Sequence, residues 1–236
     1  KPEGSLVIDL GGAWEPGVPV KSLYQFELLL TLCRRPRRRF YLAQDFYWYN
    51  PARLPSPAQW VTVERIRAKD AVNYIWWLAK SPHPKANNAN VTGAYGPAMR
   101  RLLETGTYNR GRRPSGHVVR EGFIVDRGGA IQPNLIVIAN TTADTRYKQA
   151  VTAAGLPVHP ARFPEDLPRI FIEMLTDEAD LIVDPFCGSN VTGYVAERLH
   201  RTWISVDIEP GYVEGSRFRF ESVQTELPHR GQASDE

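Results

Sequence analysis

The chain has 236 residues, 42% of them hydrophobic and 11% aromatic, which suits one sizeable core or one core carrying a smaller lobe and excludes a disordered or collagen-like chain. No run approaches the roughly 20 apolar residues that a membrane helix needs; the longest lie around residues 28–32 and 75–79. The two cysteines, Cys33 and Cys187, exclude a disulfide scaffold and a four-cysteine zinc site, and they fit a reducing, cytoplasmic setting.

The net charge of +3 conceals an uneven distribution. Residues 31–120 carry 17 Lys and Arg against 4 Asp and Glu, so +13, and the rest of the chain carries −10. A basic middle between acidic ends suits a face built for a polyanion such as nucleic acid. Because 23 of the 29 basic residues are Arg, an arginine-favouring composition with solvated surface charges is the plain alternative.

The opening Lys1-Pro2-Glu3-Gly4 reads as a turn feeding a strand at Leu6–Leu10, which ends in Gly11-Gly12. That is how the middle of a domain begins, so further residues are expected upstream. Leu23–Cys33 has a helical pattern. Arg34, Arg35, Arg37, Arg38 and Arg39 follow it, either as a phosphate clamp or as a solvated helix-to-strand turn. Phe40–Tyr49 is an aromatic strand and Ala71–Lys80, with Trp76-Trp77, a buried one. Residues 81–134 are rich in Gly, Asn, Arg and Pro and read as a long irregular region. Leu135–Ile138 is a short strand, Leu167–Leu175 an amphipathic helix, Leu181–Asp184 a strand, Val191–Arg201 a helix, Trp203–Asp207 a strand and Tyr212–Val223 a helix. Alternating strands and helices predict an α/β fold with a mostly parallel sheet, and the polar tail reads as loose.

The sharpest local signal is Asp184-Pro185-Phe186-Cys187-Gly188-Ser189-Asn190, between a strand and a helix. Small residues there let a ligand approach the backbone, and the helix N-terminus offers unpaired N–H groups. The next strand ends at Asp207, 19 residues after Gly188, where a carboxylate can accept from both hydroxyls of a ribose. Neither Gly-Lys-Ser/Thr nor G-x-G-x-x-G is present, so a nucleoside cofactor fits better than a phosphate loop or a dinucleotide site. An ordinary strand-turn-helix is the alternative. His159-Pro160-Ala161-Arg162-Phe163-Pro164, just upstream, is either a rigid polar loop over the cofactor's charged end or a helix entry with a capping role.

These two segments, with Asp9-Leu10-Gly11-Gly12-Ala13, Asp45 to Pro51, Leu54-Pro55-Ser56-Pro57, Lys69 to Asn73, Arg113 to His117 and Gln132 to Leu135, resemble bacterial amino-group DNA methyltransferases of the β subgroup, cytosine-N4 type. The resemblance covers nearly the whole chain. It implies a methyltransferase fold, a mixed and mostly parallel twisted sheet with flanking helices plus an irregular target-recognition region. It also implies S-adenosyl-L-methionine as cofactor, double-stranded DNA as partner, and an enzyme of a restriction-modification system in the cytoplasm, associated with the nucleoid. Residues 1–80 would then be part of the catalytic half, 81–150 the target-recognition region, 151–225 the cofactor half and 226–236 a flexible tail.

By the same resemblance His159, Pro160, Ala161, Arg162 and Phe163 surround the methionine part of the cofactor. Asp184, Pro185, Phe186, Cys187, Gly188, Ser189, Asn190 and Thr192 line its loop, Asp207 holds the ribose and Ile208 packs on the adenine. Tyr47, Trp48 and Tyr49 would wall a flipped-base pocket, although aromatics in a strand are as often core. By the two-residue period Tyr47 and Tyr49 share one face and Trp48 takes the other. Arg65, Arg67, Lys69, Arg110, Arg112 and Arg113 would contact DNA. No metal is implied. The family's Ser/Asp-Pro-Pro-aromatic signature is missing, since no Pro-Pro occurs in the sequence. No catalytic residue is therefore assigned within these residues, and an upstream segment or a second polypeptide would supply that loop. Adenine-N6 methylation and a non-catalytic DNA- and cofactor-binding subunit are the alternatives.

Overall fold

The computed structural model describes residues 1–34, 40–107, 124–141 and 144–221. Its centre is β3 (Val72–Ala79), whose Ile75, Trp76, Trp77, Leu78 and Ala79 are all buried, as a run of large apolar and aromatic residues requires. β1 (Ser5–Leu10) and β2 (Tyr41–Tyr49) flank it antiparallel, with Ile8 opposite Trp76 and Phe46 opposite Ile75. The β2 register shifts between Leu42 and Gln44. β4 (Leu135–Val137) adds to β2 in parallel, giving the order β1-β3-β2-β4. β5 (Leu181–Asp184) and β6 (Thr202–Ser205) form a separate parallel pair.

The sheet is therefore mixed as expected, with its antiparallel share concentrated in β1–β3–β2. β3 alone runs against its neighbours: β1 and β2 are each antiparallel to it and so parallel to each other, with residues 11–40 crossing between them.

Helices flank the sheets. α1 (Tyr24–Arg34) follows β1, α2 (Pro97–Thr105) and α3 (Thr145–Ala153) bracket β4, and α4 (Asp166–Leu175), α5 (Val191–Arg198) and α6 (Pro210–Ser216) belong to the C-terminal part. α4 places Leu167, Ile170, Phe171, Met174 and Leu175 at i, i+3, i+4, i+7 and i+8, one stripe of a 3.6-residue helix. That stripe packs against Phe46, Trp48, Ile75, Trp77 and Ile136. Its Ile172 joins Val191, Val195 and Ala196 in a second cluster. α4 is thus the wedge between the two sheets, and it fixes the strand ends that carry the site.

Two helices depart from the sequence reading. Residues 81–134 are not irregular throughout: they include α2 and a 3₁₀ turn at Asn88–Val91. α3 has no counterpart in the predicted elements. In both, few apolar positions are buried, Leu102 in α2 and Tyr147 and Val151 in α3, so each offers only a short apolar signal to read. The tail 226–236 lies outside the described residues.

Candidate functional site

β5 ends at Asp184, and Asp184 Oδ1 accepts from Phe186 N at 3.0 Å, which starts the turn. Cys187 N then donates to Val206 O at 3.0 Å, closing the loop after β5 onto the end of β6. Gly188 has φ +49°, a left-handed conformation that favours glycine. A Cβ there would stand 2.7 Å from His159 Nε2. Asn190, also left-handed at φ 56°, caps α5 by accepting from Gly193 N at 3.0 Å, and its Oδ1 takes a second hydrogen from Ser205 Oγ at 2.7 Å.

Asp207 sits at the mouth of this turn. One of its oxygens accepts from Gly188 N at 2.7 Å and the other from Glu209 N at 3.0 Å. These N–H groups, that of Glu209 first, hold its carboxyl below the usual carboxylate range, so it is ionised at neutral pH. A carboxylate has about four acceptor sites, so these backbone bonds do not use up its lone pairs. Phe186 and Ile208, 87% and 98% exposed, flank it on the two loops that Cys187 and Val206 join. Burial pushes the Cys187 thiol up to about 11, with the charges of Asp184 and Asp207 adding to the effect, so it is a poor nucleophile at neutral pH.

The 159–163 loop lies between this turn and a cavity of about 590 Å³, to which Pro160, Ala161, Arg162 and Phe163 contribute. His159 faces the turn, its ring edge-on to Tyr212 at 4.7 Å, and its buried Nδ1 lacks a hydrogen-bond partner. Opposite this loop stand Trp48, Asn50, Asp9, Arg53 and Asn73. Arg53 donates to Asn73 Oδ1 at 2.7 Å, and Asn73 donates to Asp9 Oδ1 at 3.0 Å. Although Asp9 as a residue is exposed, its carboxyl is walled in. Burial raises it from 3.8 to about 6, against the lowering effects of Asn73 and Arg53.

That shift has a stability consequence. Below about pH 4 the folded and unfolded carboxyls are both protonated. As the pH rises, the unfolded one ionises first, so the stability contribution of Asp9 declines up to about 6 and stays lost above it. Asp9→Asn, which keeps the acceptor for Asn73, is expected to raise the thermal midpoint at pH 7.5 and to give no gain at pH 3.5. Equal shifts at both pH values would remove the assignment.

The turn and the 159–163 loop thus come together as the sequence suggests, while Asp184 to Asn190, Asp207 and Ile208 lie outside the cavity wall. Thr192 follows in the first turn of α5, half-buried, and Pro185 is exposed. Of the three aromatics, Trp48 reaches the cavity, with its indole donating to Ile138 O at 2.9 Å. Tyr47 takes the other face, donating to Asp45 and edge-on to Tyr74, and Tyr49 is likewise off the cavity wall. Arg67 donates to Pro19 O at 3.0 Å, and Lys69 to Arg53 O at 3.1 Å, so both brace loops, whereas Arg65 is exposed. Arg110, Arg112 and Arg113 lie outside the described residues. Asp9, Arg53, Asn73 and Asp144 were missed as cavity groups. Asp9 and Asn73 fall in segments that carry the family resemblance, which gave them no role in a cavity. Among the described residues no group of three or more His, Cys, Asp or Glu could hold a metal ion, and no helix is long and apolar enough to cross a membrane.

The family model for DNA methylases of the N6/N4 type matches residues 1–218. The chain belongs to this DNA methylase family. It is 47% identical over 222 residues to the type II methyltransferase M.PvuII of Proteus hauseri, covering 93% of this chain and 66% of that enzyme, so it spans about two thirds of its relative's length. Against the structure of the PvuII cytosine-N4-specific DNA methyltransferase the TM-score is 0.73 at 40% identity, over 98% of this chain and 67% of the other. The M1.HpyAVI–SAM complex matches with TM-score 0.54 at 16% identity, over 93% of this chain and 76% of the other, which supports the fold alone.

Proposed function

We propose that the chain is the cofactor- and DNA-binding part of a site-specific methyltransferase that moves a methyl group from S-adenosylmethionine to the N4 amino group of cytosine in duplex DNA. The carrying observation is the turn from Asp184 to Asn190 with Asp207 across it. Its chemistry fits the cofactor: an ionised carboxylate with open lone pairs suits a ribose diol, and two exposed apolar side chains, Phe186 and Ile208, suit the faces of a flat purine. The orphaned buried Nδ1 of His159 and the polar 159–163 loop suit the amino-acid end.

The cofactor supplies an electrophilic sulfonium methyl. The cytosine amino nitrogen is a poor nucleophile, because its lone pair is delocalised into the ring. Catalysis therefore rests on positioning and on acceptors for its hydrogens. A base flipped out of the duplex would stack on Trp48 at the cavity. On in-line attack the nitrogen–carbon bond forms, the carbon–sulfur bond breaks with its electrons staying on sulfur, and the nitrogen releases one proton. Asp9, on the cavity wall and ionised above about pH 6, is placed to receive it.

No Pro-Pro occurs in the sequence, so the Ser-Pro-Pro-aromatic loop would come from a preceding segment or a second polypeptide. Open strand edges support this. Among the described residues β1 and β5 each have one strand neighbour, and Leu181, Val183, Ile204 and Val206 leave a face of the smaller sheet half exposed. Residues 1–80, 81–150 and 151–225 would serve as catalytic, recognition and cofactor regions, with Arg65 and the 110–113 arginines on DNA. The setting would be a cytoplasmic, nucleoid-associated restriction-modification system. The missing signature also favours a second reading, a non-catalytic subunit; adenine-N6 transfer on the same scaffold is a third.

The test is incubation of the chain, alone and with the unmatched third of the PvuII enzyme, with labelled S-adenosylmethionine and duplex DNA, followed by nucleoside mass spectrometry. N4-methylcytosine supports the proposal, and N6-methyladenine replaces it with the adenine reading. DNA binding without transfer in either arm leaves the subunit. Asp207→Ala is expected to weaken the cofactor about tenfold to a hundredfold, the size of one or two hydrogen bonds to a charged group. An unchanged Kd by calorimetry refutes the ribose role.

A further inference from the structure

One carboxylate ties together the loops on which the proposed cofactor reading rests. Asp144 precedes α3 and is left-handed, with φ 47°. Its carboxylate faces two guanidinium groups at once. Arg219 donates to both oxygens, one contact at 3.0 Å, and Arg162 Nε stands 3.3 Å away. The Arg219 side chain is 4% exposed and those of Asp144 and Arg162 are 17% exposed, so these charges have little water to turn to.

Arg219 spends its other donors on the cofactor turn, on Ser189 O and, at 3.1 Å, Ser189 Oγ, and its guanidinium lies 4.1 Å over the Tyr147 ring. Arg162 spends another on His159 O, within its own loop. Asp144 supplies no cap hydrogen bond to α3, although Asp is a favoured N-cap residue. Its carboxylate is committed to the arginines instead.

The geometry points to Asp144 as a positioning residue: it holds Arg219 and Arg162 in one cluster and so sets the 159–163 loop against the turn at Ser189. Without Asp144, the buried guanidinium of Arg219 and the half-buried one of Arg162 would repel across the seam between those loops.

Asp144→Asn tests this cleanly. Asn is isosteric and is among the residues most tolerant of the left-handed region, so the backbone is kept and the charge removed. Two readings are taken below the variant's own unfolding midpoint: calorimetric affinity for S-adenosylhomocysteine, and amide exchange. The expected result is at least a tenfold loss of affinity, with faster exchange confined to residues 159–164 and 188–191. Arg198→Ala, which removes an exposed ion pair with Glu165, should change neither. Unchanged affinity with normal exchange overturns the role, as does exchange accelerated evenly through the fold, which would mark a general structural loss. If the unaltered chain binds no nucleoside, the cofactor reading fails, and the exchange pattern alone still decides whether Asp144 sets the two loops.

Discussion

Gly188→Ala should reduce binding of S-adenosylmethionine at least a hundredfold while leaving the two sheets folded. Two separate effects converge at this position. An alanine in the left-handed region costs about 1–2 kcal/mol more than glycine, and Gly188 has φ +49°. The added Cβ would also lie 2.7 Å from Nε2 and 2.9 Å from two carbons of the His159 ring, closer than nonbonded atoms approach. The ring can escape only by leaving its edge-on contact with Tyr212, which carries the 159–163 loop with it. If the backbone flattens instead, Gly188 N turns away from Asp207, whose open lone pairs are the proposed ribose acceptors. Both routes dismantle the proposed cofactor site, and neither touches the core packed by α4. Calorimetry on Gly188→Ala and on the double variant Gly188→Ala/His159→Ala separates them. Removing the ring relieves the clash and should recover thermal stability, while affinity stays low. Wild-type affinity in the single variant would show that this turn does not hold the cofactor.

The site was legible where a residue type has a narrow physical role. Gly188, Asn190 and Asp207 could be read because small residues between a strand and a helix let a ligand reach the backbone and the free N–H groups of the helix start, and because a carboxylate at the next strand end faces that turn. β5 matched its expected limits of Leu181–Asp184, and α4 its apolar stripe, because few alternatives fit such patterns. α2 should have been legible too. Gly96-Pro97 opens it and Gly106, with φ 61°, closes it, the proline-first, glycine-last asymmetry of helix ends. The surrounding Gly- and Asn-rich composition drowned that signal.

The cavity was much less legible. Asp9, Arg53, Asn73, Asp144 and Arg219 meet there from separate parts of the chain, and nothing local to any of them marks the meeting. Pairing β1 with β3 brings Asp9 to Asn73 across 64 positions, and Arg219 reaches Asp144 across 75. A basic count also says nothing about where a charge is used. Arg67 and Lys69 brace backbone carbonyls, and Arg219 is buried at a carboxylate. The aromatic run split as a strand must: Trp48 faces the cavity and the core, while Tyr47 turns to Tyr74 on the other side.

Asn190→Ala should lower the stability of the whole chain by about 2–4 kcal/mol, from three terms of roughly 1 kcal/mol or more each. The first is the lost cap, because Asn190 Oδ1 satisfies the free N–H of Gly193 in the first turn of α5. The second is the acceptor taken from Ser205 Oγ on β6, which leaves that hydroxyl seeking a partner in a region where Asn190 is 2% exposed. The third is backbone strain, since alanine tolerates φ 56° poorly. For a chain of this size the shift in thermal midpoint is roughly 5–15 °C. Asn190→Gly dissects the sum: glycine accepts the left-handed backbone, so only the two side-chain terms should remain, and Gly should be the milder change. Were Gly as damaging as Ala, strain would contribute nothing. Were both neutral, the bond from Asn190 to β6 would not be holding the helix and the second sheet in register. A helix that loses this cap also loses the fixed N-terminus that presents Ser189 and Gly188 to the site, so cofactor affinity should fall in step with stability for Ala and less for Gly.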